Sequence, residues 1–442
     1  MRARSPLLPI FLIVLVDVCG FAMVIPLLAR YAETFGASPL VATLLSSCYG
    51  ACSLVSSPLL GRLSDRHGRR PLLVVSQLGT LAGFLVLASA DSLALVFVGR
   101  ILDGASAGNV SIAQAYVSDH TAPADRARAF GVLGTAFSLG FVIGPALSAQ
   151  LAPLGLHAPF LAAAGLSAAS IACTLVFLPP EARPASTGAP RARVLEGRAY
   201  ADLIGRPGLA PLFLLFFLFQ LGFFGYQHNF LLFAERRFVR GGRPWGPTEV
   251  GWVLTYAGLL GVILQSSLIG RMVRRFGEPR LVIAGFTANA IAYATVGVTH
   301  ALPLLLAVVT ATAFGNGVLR PVLTSRISQA VGRDQQGVAL GVSHALRSLG
   351  MMIAPPLGGA LMDHAWLVPW ALGCASISAT GLAVAIVQGA GSGRGGSGGS
   401  GSSPSARTAA RGSSAASSSG AGAGADARPS AAADRRGGPS VT

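Results

Sequence analysis

The 442-residue chain contains no lysine and little charge of any kind. Only 11% of its residues are charged, against about 25% in a water-soluble protein. That deficit excludes a cytosolic enzyme and a nucleic-acid module. A disulfide framework is missing as well. Cys19, Cys48, Cys52, Cys173 and Cys374 all lie inside apolar stretches, away from polar loops and without metal-ligand spacing. They read as small core residues. Without Lys there is no Gly-rich phosphate loop ending in Lys-Ser/Thr, so no ATP-driven pump is expected. The net charge of +16 rests on Arg alone. With the heavy Ala and Gly content it reads as codon bias, and no nucleic acid, metal or cofactor is expected.

What the chain does have is apolar length, with 52% hydrophobic residues. Runs long enough to span a bilayer recur at 8–30, 40–61, 72–90, 93–118, 129–152 and 158–179, then at 209–234, 250–270, 280–299, 301–322, 337–361 and 366–388. An all-α polytopic membrane protein with twelve transmembrane helices is expected. The first run follows Arg2 and Arg4 as a signal peptide would. It continues to about Leu28 without a small-residue cleavage site, and Asp17 interrupts it, so it is read as a retained span.

Arg placement sets the orientation. Arg62, Arg66, Arg69, Arg70, Arg126, Arg128, Arg271, Arg274, Arg275 and Arg280 share one side with the N-terminus and with the Arg-rich segment 181–208. The opposite side carries Arg30 and the loop Arg236–Arg243. Both termini are therefore expected in the cytoplasm, with the chain in a cell membrane (the inner membrane of a bacterium).

The Pro-, Ala- and Arg-rich segment 181–208 divides a six-helix bundle at 1–180 from a second at 209–388. Beyond 389 the Gly/Ser/Ala/Arg composition predicts disorder. The halves also resemble each other. Gly61-Arg-Leu-Ser-Asp-Arg-His-Gly68 aligns with Gly270-Arg-Met-Val-Arg-Arg-Phe-Gly277, and the run from Ser138 through Gly144-Pro145 aligns with the run from Ser348. Two six-helix pseudo-repeats in a membrane chain point to a transporter.

Charge inside an apolar span costs several kcal/mol unless it is used. Asp17 lies about ten residues, or about 15 Å, into the first helix, near the midplane. A carboxyl there is a candidate proton carrier. Arg100 and Asp103 share a helix face; they either neutralise each other or join Asp17 in proton coupling. Arg347, in the eleventh helix, is either an anion contact or a partner for Asp17. Arg320 sits near a helix end where it can snorkel. In the seventh helix, Gln220, Gln227 and Asn229 with Phe224 suggest a cavity wall on which an amphipathic substrate stacks; the alternative places 226–229 at the membrane interface. Gly140, Gly144 and Pro145 combine close packing with a bend.

The loop Gly61-Arg-Leu-Ser-Asp65-Arg-His-Gly68-Arg69-Arg70 resembles the signature loop of the major facilitator superfamily. Arg100–Gly104 resembles a motif of its proton-coupled members, and Gly140–Gly144-Pro145 the Gly-Pro motif of its antiporters. Asp17, Pro26, Phe233–Phe238 and Gly270-Arg271 are similar to the pattern of tetracycline/proton antiporters. Where those carry acids in helices three and nine and a His in helix eight, this chain has Gly83, Asn289 and Gly261. Asn289 is kept as a candidate substrate contact. The resemblance implies the major facilitator fold, and a monomer that exchanges a small amphipathic substrate for protons by alternating access. No catalytic residue is expected. Asp65 is expected to meet the start of the eleventh helix and Arg69 to pair with Asp119, latching the outward-facing state. A proton-coupled importer of an organic acid or sugar, or a transport-dead receptor, are the alternatives.

Overall fold

The computed structural model describes residues 7–121, 126–178, 202–206, 208–332 and 335–394. Most of the 181–208 segment, the tail beyond Arg394 and the side chains of Arg126 and Arg128 lie outside the described residues.

Leu7–Thr34, Pro39–His67, Arg69–Ala88, Leu93–Ala105 with Asn109–His120, Arg126–Leu151 and Ala158–Phe177 form the first six spans. The second six are Ala210–Gln227 with Phe230–Arg237, Pro247–Ile263 with Ile269–Phe276, Glu278–Val296, Leu302–Gln329, Gln336–Asp363 and Leu367–Arg394. Eleven are long and apolar enough to cross a membrane. The ninth, Glu278–Val296, opens on Glu-Pro-Arg and carries Asn289, which lowers its mean hydropathy; it packs against the tenth and twelfth. The last helix continues past 388 to Arg394, since each residue added to a formed helix gains a backbone bond.

Burial is inverted relative to a soluble protein. Val55, Val176, Ile291, Leu357 and Val387 are exposed, while Gln77, Ser170, Thr174, Gln220, Asn229 and Asn289 are buried. Lipid solvates the first group, and only protein can satisfy the second.

Local chemistry sets the helix ends. Ser38 caps the second span through Val41 N, with Pro39 in the first turn. That span ends at Gly68 (φ 95°, ψ 152°), and the eighth ends at Gly277 (φ 78°, ψ 154°). The two repeats thus make the same turn in a backbone region that glycine alone enters freely.

The fourth span departs from the single helix expected over 93–118. It breaks at Ser106–Gly108, where Ser76 of the third span bonds Ser106 O and accepts from Gly108 N at 3.1 Å. Ser56 donates to Gly104 O at 2.7 Å. Neighbouring hydroxyls therefore replace the lost helical bonds. The seventh breaks at His228–Asn229, and the eighth passes through a π turn at Leu264–Leu268.

The halves repeat one packing scheme. The first span packs on the fifth and sixth as the seventh does on the eleventh and twelfth; the third packs on the fourth and sixth as the ninth does on the tenth and twelfth. The second crosses to the eleventh and the fifth to the eighth. At the end away from the linker, one apolar core runs through both halves, from Met23 and Tyr31 to Tyr226 and Trp370. At the linker end it divides into two. One cluster holds Ile10, Leu73 and Tyr116; the other holds Phe213, Leu281 and Val342. The molecule is closed at one end and parted at the other.

The closed end also carries polar contacts between halves. Asp363 accepts from Leu40 N at 3.1 Å and Ser38 Oγ at 3.3 Å, and Arg236 lies 3.5 Å from Glu33. A Cβ on Gly359 would collide with Thr43 Oγ1 and lie 2.8 Å from Pro39 O. Gly359→Val is therefore expected to part this end, lengthening the distance between spin labels at positions 154 and 298 in a background without the native cysteines. An unchanged distance distribution would show that this contact does not govern closure.

Candidate transport site

Arg69 organises the loop between the second and third spans. Its buried guanidinium meets Asp65 Oδ1 at 2.6 Å and Asp119 Oδ2 at 2.9 Å, and donates to Ser64 Oγ at 2.7 Å. Arg70 donates to Leu175 O at 2.6 Å, tying the loop to the last turn of the sixth span. The Arg69–Asp119 pair forms as the spacing implies. The expected contact of Asp65 with the start of the eleventh span does not occur among the described residues, because the halves are parted at this end and Asp65 turns to Arg69. Asp65 and Asp119 are 40% and 37% exposed. Solvent weakens each pair, but one donor serves both acids and Ser64. Arg69→Ala is expected to destabilise the detergent-solubilised protein by about 1–3 kcal/mol. Asp119→Asn should cost less, and equal melting temperatures for both variants and wild type would overturn the role of Arg69.

Above the loop, the fifth span lies close against the first. A Cβ on Gly140 would stand 2.7 Å from Val18 Cγ1, and one on Gly144 2.6 Å from Cys19 O. These glycines therefore pack directly beside Asp17. Pro145 follows, and its carbonyl faces Gly251 of the eighth span across the halves.

A central cavity opens between the halves. Counting the space open to solvent it measures about 890 Å³. Asp17, Asp103 and Arg347 line it, so three candidates from three different spans come together. Both carboxyl oxygens of Asp17 are buried without a hydrogen-bond partner. Gln77, Ser170 and Asn109 are polar side chains facing it. Two of these belong to a buried network in which Gln77 Nε2 donates to Ser170 Oγ at 2.7 Å and Thr174 Oγ1 donates to Gln77 Oε1 at 3.0 Å. Arg100 reaches Asp103 Oδ2 at 2.8 Å and lies 4.5 Å over the Tyr49 ring. Arg100 and Asp103 therefore neutralise each other as a buried pair.

The other candidates are dispersed. Phe224 lies under the Arg347 guanidinium at 5.8 Å. Gln220 is buried against Gly350, with Oε1 unpaired. Asn229 donates to Gly225 O at 2.9 Å and Pro355 O at 3.1 Å, bracing the break in the seventh span. Asn289 donates to Asn316 Oδ1 at 3.0 Å, inside the second half. Gln227 is half-buried and, with Gln220, Phe224, Asn229 and Asn289, is not among the cavity-lining residues.

The wall includes residues that sequence reasoning passed over. Tyr49, Ser53 and Ser57 line it from the second span, Thr80 from the third, and His344 and Ser348 from the eleventh. Their signal was present as a helical stripe: 49, 53, 57 on one span and 344, 347, 348, 351 on another. His228 bonds Ser46 Oγ at 2.9 Å, joining the seventh span to the second. Among the described residues no His, Cys, Asp or Glu cluster is fit for a metal.

A sequence profile described as Major Facilitator Superfamily matches residues 10–241 and 241–415. The chain belongs to the major facilitator superfamily. It is 30% identical to the class C tetracycline resistance protein of Escherichia coli over 362 residues, 80% of this chain and 89% of that one. It is 27% identical to multidrug resistance protein 2 of Bacillus subtilis (strain 168) over 365 residues, 80% and 89% of the two chains. Among solved structures, the nucleoside transporter NupG shares the fold with a TM-score of 0.72, at 13% identity over 87% of this chain and 99% of that one. The chain is thus a multi-pass major facilitator transporter acting on small molecules, not an enzyme.

Proposed function

We propose that this transporter exports amphipathic, drug-like compounds in exchange for protons. The observation that carries the reading is Asp17, a carboxyl on the cavity wall with both oxygens buried and unpartnered. An unmet carboxylate is expensive in a low-dielectric interior, and a proton is the smallest partner that can offset it. Substrate entering the cavity and the proton on Asp17 then compete for one site. Gly140 and Gly144 press the fifth span onto the first beside Asp17, a means by which its charge state can act on helix packing. The Arg100–Asp103 pair, whose Asp103 lines the same cavity from the fourth span, sets the local charge. The resistance proteins among the relatives support export over import.

The same reading covers the division of the chain. The bundles at 1–180 and 209–388, joined by the 181–208 segment, act as rigid halves of a monomer in the cell membrane. Arg-rich loops on the linker side support cytoplasmic termini, and the open end then faces the cytoplasm. Drug enters there, the halves close over it, and the signature loop with Asp65, Arg69 and Asp119 takes hold of the eleventh span as the outer end opens. Gln220 and Phe224 contribute from the seventh span during that movement.

The test is proton release from the purified protein in unbuffered detergent solution, titrated with tetracycline, ethidium and 2-naphthoate. At least one compound is expected to release protons from wild type and to bind Asp17→Asn without doing so. Binding without a proton signal in wild type, or release that persists in Asp17→Asn, would overturn the reading.

A further inference from the structure

The charges around the cavity are not balanced between its two walls. On the first half, Arg100 and Asp103 neutralise each other at 2.8 Å. On the second half, Arg347 lines the cavity and Arg320 stands close by, with their guanidinium groups on neighbouring rings: Arg347 lies 5.8 Å from the Phe224 centroid and Arg320 5.1 Å from that of Phe223. The two rings are 5.2 Å apart. Neither arginine forms an ion pair or a side-chain hydrogen bond with a described residue, and each lies in the field of the other. The ionisable groups within range of Arg347 are Tyr49, His228, His344 and Arg320, with no carboxylate among them.

Stacking on a ring returns about 0.5–2 kcal/mol. That does not offset the several kcal/mol that a charge costs inside a membrane, still less for two cations side by side. Snorkelling explains neither, because both are held inward on rings of the seventh span. The facing wall supplies the rest of a ligand's shape. Phe21, Phe84, Phe137 and Phe141 bring aromatic surface to the cavity from the first, third and fifth spans.

We infer that the transported substrate is an aromatic organic anion, its acidic group held by Arg347 in the field of Arg320 and its ring system against the phenylalanines of the opposite wall. This deepens the export reading and rests on it for the direction of transport alone. A guanidinium offers five donors in a planar fork that matches a carboxylate or sulfonate.

The experiment compares three probes of one skeleton, 2-naphthoate, 2-naphthamide and 2-naphthylmethylammonium, by calorimetric titration of the full chain in detergent. Proton release is recorded in parallel. Wild type is expected to bind the carboxylate at least tenfold more tightly than the amide, and the ammonium weakest. Arg347→Gln should lose tenfold or more in carboxylate affinity with amide affinity unchanged. Arg320→Gln should lose less, and Arg347→Lys should recover part of the loss. Amide or ammonium binding equal to or tighter than carboxylate binding in wild type would overturn the inference. So would an equal loss for all three probes in Arg347→Gln. Should that variant fail to fold, the wild-type ranking decides by itself. Carboxylate selectivity without proton release would leave the anion site standing and remove proton coupling; ammonium selectivity with proton release would do the reverse.

Discussion

Every polar group this chain carries into lipid must find its partner inside the protein, and the architecture follows from that constraint. Main-chain bonds are closed within helices, and where the fourth and seventh spans break, side chains supply bonds: Ser76 and Ser56 from neighbouring spans at the fourth, and Asn229 of the break itself to Gly225 O at the seventh. The same requirement makes the exceptions informative. Both carboxyl oxygens of Asp17 lack a hydrogen-bond partner, and Arg320 and Arg347 rest on phenylalanine rings without an ion pair to a described residue. In water these would be unremarkable side chains. In a bilayer such groups are rare and commonly mark substrate or ion pathways.

The second organising feature is repetition. Two copies of one helical arrangement, each ended at its second span by the same glycine turn, meet along two crossed pairs, the second with the eleventh and the fifth with the eighth. Such an interface can rock. With a shared core at one end and separate cores at the other, the halves are joined at one end and parted at the other. The signature loop sits at that parted end. The contacts of Arg69 with Ser64, Asp65 and Asp119 lie within the first half.

Much of this was legible in the sequence. Twelve apolar runs, the repeated Gly-Arg motif and the lone charges at Asp17 and Arg347 stand out because each departs sharply from the composition around it. The breaks were not legible, because what permits the one at Ser106–Gly108 is a hydroxyl on another span, thirty residues away in sequence. Asn229 and Asn289 show the same limit from the other side. A polar residue in an apolar helix is easily seen, but whether it serves a ligand or braces a carbonyl depends on the neighbour it meets. The helical stripe through His344, Arg347 and Ser348 was present in the sequence; its meaning came only from the wall that it faces. Which end is closed is a property of contacts between halves, and no single segment encodes it.

The cap on the second span has a consequence of its own. Its first turn donates a bond to Asp363, a residue that belongs to the other half. Secondary structure in one bundle is thus completed by a side chain of its twin, and parting this end hands the amide of Leu40 to water. Solvent exchange of that one backbone proton therefore reports whether this end is shut or parted.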